Sequence, residues 1–153
     1  MPAPLSTFSG PEAPLCVEVR LKSDAVVAAA LGRRFARQVG LTAPASAEVA
    51  VVVSELATNL VRHAGVGGTV ELWREEDWLF IRSRDRGPGM ADPSRLFMGR
   101  GEGRPGPLPG ESLGEGGAAV MRLTDGVHVS NREGGGLEVV ARKKVAVDHG
   151  RRW

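Results

Sequence analysis

A single cysteine, Cys16, occurs among 153 residues. One thiol permits no internal disulfide and no cysteine-based metal framework, so the chain suits a reducing cytoplasm. Histidine is nearly as scarce: His63, His128 and His149 stand far apart without metal-ligand spacing, which argues against a zinc site. No apolar run approaches the roughly 20 residues needed to span a bilayer, and no membrane partner is expected. Residues 1–14 lack a basic start followed by an apolar block; with Pro2, Pro4, Pro11 and Pro14 they read as a flexible leader, not a secretory signal. A net charge of +2 is too small to call for nucleic acid, and no helix-turn-helix is legible. Basic residues gather late, in Arg142, Lys143, Lys144, Arg151 and Arg152, and read as a solvated basic end.

What remains is an ordinary globular composition, 42% hydrophobic and 25% charged, of a length that fits one domain over residues 15–147, with a basic tail at 148–153. Val17-Glu18-Val19-Arg20-Leu21 alternates like a half-buried strand. Ser23 and Asp24 offer a helix cap. Val27, Leu31, Phe35 and Val39 then recur at helical spacing and read as core, with Gly40 placed to end the helix. A second helix restarts at Thr42-Ala43-Pro44. Val49, Val52, Val53, Leu56, Leu60 and Val61 make it apolar around much of its circumference, so it is expected between other elements. Thr69–Trp73 and Trp78–Ser83 alternate like a hairpin, with Trp73, Trp78 and Phe80 read as packing residues. From Gly87 to Gly110 the composition shifts to glycine, proline and arginine, as in a functional lid, placed at about 90–113. A helix from about Gly116 to Leu123 and two strand-like runs, Val127–Ser130 and Leu137–Arg142, complete the order. The expected class is α+β: a two-layer sandwich with a mostly antiparallel sheet and helices on one face.

Three groups of residues carry chemistry. In the second helix, Glu55 and Asn59 are four apart and Arg62 follows three later, which sets them along one face. They form either an exposed stripe with an internal Glu–Arg pair or the lining of a cleft. In a cleft, the Asn59 amide oxygen suits magnesium, Glu55 suits a general base, and Arg62 suits a phosphate. The second group, Asp85-Arg86-Gly87-Pro88-Gly89, is a tight turn after a strand. The same turn could present a carboxylate to an adenine amine, with Gly87 and Gly89 letting the backbone pass close to the base. In the third, Gly114-Glu115-Gly116-Gly117 opens a helix whose backbone N–H groups form an anion nest. No Gly-Lys-Ser/Thr follows, which excludes a Walker-type loop, and the element order excludes a dinucleotide fingerprint.

In this order the three groups resemble the nucleotide site of Bergerat-fold (GHKL) ATPases. Ser54-Glu55-Leu56-Ala57-Thr58-Asn59-Leu60-Val61-Arg62-His63-Ala64 resembles the N-box of anti-sigma-factor-type serine kinases, most closely the stressosome switch kinases. The resemblance covers roughly Val17 to Lys144. It implies ATP and magnesium as cofactors, Glu55 as catalytic base and Asn59 as the metal ligand. The ATP-binding set would be Asn59, Arg62, His63, Asp85, Gly87, Gly89, Arg100, Gly114, Gly116 and Gly117. It implies a STAS-domain antagonist as substrate, a serine phosphatase or sigma factor as further partners, and a monomer or homodimer. The chain departs from the pattern at Ser112, Glu115 and Gly117 in the glycine box, and at Gly136-Leu137, where a hydroxyl residue is usual. A nucleotide-gated binding module without catalysis is the alternative those departures raise.

Overall fold

The computed structural model describes residues 13–64, 67–87 and 115–145. The elements run β1 (Leu15–Val19), α1 (Lys22–Gln38), α2 (Ala43–Asn59), a π-helical turn (Leu60–Ala64), β2 (Gly68–Glu75), β3 (Trp78–Asp85), α3 (Glu115–Leu123), β4 (Gly126–Asn131) and β5 (Leu137–Lys144). The five strands form one sheet in the order β1-β2-β3-β5-β4, every neighbouring pair antiparallel. The expected α+β sandwich with helices on one face is the architecture found.

Strand alternation decides which face is covered. Val70 and Leu72 on β2, Leu79 and Ile81 on β3, and Leu137, Val139 and Ala141 on β5 are all buried and point toward the helices. Against them packs α2, through Val49, Val52, Val53 and Leu56, with α1 along one side and Val120 of α3 along the other. Burying each of Leu56, Leu72, Leu79 and Ile81 contributes about 1.5–3 kcal/mol. The α1–α2 approach is close: a Cβ at Gly32 would lie 3.0 Å from Val53 Cγ2.

Several expectations shift. β1 stops at Val19, because the N–H groups of Arg20 and Leu21 both donate to Asp24 Oδ2, at 2.8 and 2.9 Å, and the chain turns into α1. Asp24 thus caps from inside the first turn, and those two N–H groups hold its carboxyl below the usual aspartate range. The N-terminus of α2 is as read: Thr42 Oγ1 accepts from Ala45 N at 3.2 Å, with Pro44 in the first turn. Val27 is not core, whereas Phe35 and Val39 are buried as read; α1 also buries Ala25, Ala28, Gly32 and Ala36. Trp73, Trp78 and Phe80 are half-buried on the opposite sheet face, where Trp73 stacks on Phe80 with ring centroids 5.3 Å apart. Arg142, Lys143 and Lys144 are strand residues of β5, not a solvated end: strand pairing with β3 fixes them, and Arg142 and Lys144 lie over the Trp78 ring.

Candidate nucleotide-binding site

At the C-terminal end of α2, Asn59 is the last α-helical residue before the backbone widens into the π-helical turn Leu60–Ala64. Such turns concentrate at functional sites because they re-aim side chains within a helix. Asn59 is 7% exposed, and its Oδ1 is buried with no hydrogen-bond partner among the described residues. An unsatisfied buried acceptor costs about 1–3 kcal/mol; Ser46 Oγ is orphaned in the same way, and what sets Asn59 apart is its place at the π-helical turn that packs on β3. A carboxamide oxygen is a hard donor, and the residue fits magnesium. Among the described residues no group of three His, Cys, Asp or Glu side chains is placed to hold a metal.

The π-helical turn lies against β3, whose last residue is Asp85. Asp85 is 5% exposed and points to the helix side of the sheet, the side on which Asn59 is buried. Its Oδ1 accepts from Gly87 N at 2.9 Å and from Leu137 N at 3.0 Å, which locks the side chain across β3 and β5. Its backbone carbonyl accepts from Arg132 Nη1 at 2.7 Å. Gly136 makes this possible. A Cβ there would collide with Asp85 O, and its φ of +100° is a conformation L side chains rarely adopt.

Glu55 stands one helical turn before Asn59 and is half-buried. Arg62 is exposed: the change from α to π winding after Asn59 breaks the helical spacing by which the two residues would share a face. Gly116 and Gly117 fall in the first turn of α3, opened by Glu115, and α3 packs against α2. Gly89, Arg100, Gly114, the side chain of His63 and the lid at 90–113 lie outside the described residues. Sequence reasoning missed Arg132 and the N–H of Leu137; the run Gly134-Gly135-Gly136 was the signal, but it reads as an ordinary turn.

An antiparallel sheet with helices on one face thus carries a buried asparagine at the end of a long helix and a buried aspartate at the end of its central strand. Residues 19–143 match the histidine kinase-like ATPase domain, and the chain belongs to that family. It is similar to the serine/threonine-protein kinase RsbT of Bacillus subtilis (strain 168), with 34% identity over 131 residues that span 84% of this chain and 94% of the relative. Among the described residues no helix is long and apolar enough to cross a membrane.

Proposed function

We propose that this chain is a magnesium-ATP-dependent serine/threonine protein kinase of the partner-switching type, acting in the cytoplasm on a serine of a STAS-domain antagonist within a stress or sigma-factor pathway. One observation carries the nucleotide site: the buried, unpartnered Oδ1 of Asn59 on the same side of the sheet as Asp85. The likeness to a serine/threonine-protein kinase over most of both chains supports the class of reaction.

In this reading Asp85, held by the N–H groups of Gly87 and Leu137, receives the adenine amine. The helix start at Gly116 and Gly117 presents N–H groups to the phosphates, with Gly89, Gly114 and, from the lid, Arg100 completing the site. Magnesium at Asn59, when bound, neutralises phosphate charge. Glu55 takes the proton from the substrate serine as its Oγ bonds to the γ-phosphorus and the bond to the β–γ bridging oxygen breaks.

Transfer of labelled phosphate from ATP to a purified STAS-domain protein tests the reading. Glu55→Gln is expected to cut transfer by about 100-fold or more, within the range for a general base, while ATP binding stays near wild type. Wild-type transfer in that variant would remove Glu55 from catalysis. Nucleotide-dependent capture of the partner without any phosphate on it would favour the non-catalytic module, which Glu115 at the phosphate-facing helix start also favours.

A further inference from the structure

Helix α1 carries an outward face that the proposed chemistry does not use. The described chain has five large, exposed hydrophobic residues, and two of them are neighbours near the start of this helix: Val26 at 70% and Val27 at 52% exposure, with Leu21 exposed just before it. Single exposed apolar side chains need no explanation, but a cluster does. At about 100° per residue, Val26, Val27, Ala30, Arg33, Arg34 and Arg37 fall within roughly a 120° arc, and all six are exposed. The stripe is therefore apolar in its first half and cationic in its second. Ion pairs among the described residues lie elsewhere, on β1, on the open sheet face and at Lys143, and none reaches Arg33 or Arg34. Arg37 spends one N–H on the Leu41 carbonyl, at 3.3 Å.

The stripe begins beside the nucleotide site. Val19, Gly68 and Asp85 pair in one row across β1, β2 and β3, and Leu21 follows two residues after Val19. Arg86, next after Asp85, reaches back to Glu18 at 3.4 Å. The short connection between α1 and α2 makes the helices antiparallel, so the start of α1 lies at the end of α2 that bears Asn59. Val26 and Val27 therefore stand at the end of the helix layer that carries Asn59.

We infer that this stripe docks the protein substrate, and that the complementary surface has apolar residues near the phospho-accepting serine and carboxylates about 10 Å further on, the rise from Val26 to Arg33. The charge complementarity favours an acidic protein, because arginines beside an apolar centre are the usual composition of such interfaces. The inference rests on the kinase reading and deepens it by naming the partner's chemistry.

The test uses the full chain with a purified STAS-domain protein and two double variants, Val26→Asp with Val27→Asp and Arg33→Glu with Arg34→Glu. The four positions are exposed, so folding is expected to survive, and the magnesium-ATP thermal shift checks the site in each. Both variants are expected to raise KM for the protein about tenfold or more with kcat unchanged, and the arginine variant should flatten the salt dependence of KM. Unchanged KM in both, with an active wild type, overturns the docking surface and leaves the kinase reading intact. If the wild type transfers no phosphate, the kinase reading fails, and calorimetric binding of the same protein decides the stripe. Binding lost in the variants supports it; no binding, or equal binding, overturns it. Sedimentation with phosphatidylglycerol vesicles, or a concentration-dependent dimer, abolished by the same substitutions would assign the stripe to lipid or to a second copy and overturn it also.

Discussion

On the side of β3 that meets the helices, Leu79, Ile81, Ser83 and Asp85 are buried; on the other side Trp78, Phe80, Arg82 and Arg84 stay half-buried. The open face arranges its polar groups as cross-strand pairs. Arg82 meets Glu71 at 2.8 Å, Arg84 meets Glu138 at 3.3 Å, and Arg82 lies over the Trp73 ring. Such pairs, in partial contact with water, contribute about 0–1 kcal/mol each. The covered face has no water to fall back on, so each polar group there must be bonded or held at a cost. Asp85 is bonded within the chain, whereas Asn59 Oδ1 is not, and that asymmetry points to the ligand.

The largest break of the comparison is at Gly136. Gly136→Ala drives a methyl into Asp85 O and forces an unfavourable φ; a loss of about 2–4 kcal/mol is expected. Urea denaturation measures it, and adenine nucleotide binding should weaken with it. Lys143, at the far end of the covered face, donates to Glu48 Oε1 at 2.8 Å and to the Leu123 carbonyl at 2.7 Å, closing the C-terminus of α3. Lys143→Met should cost about 1–2 kcal/mol in the same assay and leave nucleotide affinity unchanged. On the open face, Glu71→Gln should cost at most about 1 kcal/mol, less in high salt. A nucleotide-affinity change in Glu71→Gln would mean that the two faces are coupled.

The same contrast explains what the sequence made legible. The hairpin, the second helix and the aspartate at a strand end were readable, because period-2 and period-3.6 patterns and turn residues are local signals. Leu72-Trp73 and Trp78-Leu79-Phe80-Ile81 put apolar residues on both faces, so alternation could not say which face the helices cover. On α1, side-chain size misled in part: Val27 was read as core with Phe35 and Val39, but it is exposed, while the small residues Ala25, Ala28, Gly32 and Ala36 face inward beside Phe35, with Gly32 close against Val53. The π-helical turn has no sequence signature, so the spacing from Asn59 to Arg62 was read as α-helical. The bonds of Arg132 and Leu137 to Asp85 join residues 47 and 52 positions apart, beyond any local pattern.

The central claim is that Asn59 is buried for a ligand rather than for the fold. Thermal unfolding of the wild type and Asn59→Ala, each with chelator and with magnesium-ATP, tests it directly. At ~100 times its dissociation constant, magnesium-ATP should add roughly 2.7 kcal/mol to the wild type, a rise of several degrees. Asn59→Ala should keep or raise the ligand-free midpoint, because it removes a buried acceptor that has no partner, and should lose the magnesium-dependent rise. A variant that keeps the full rise, or that unfolds far below the wild type without ligand, would contradict the account.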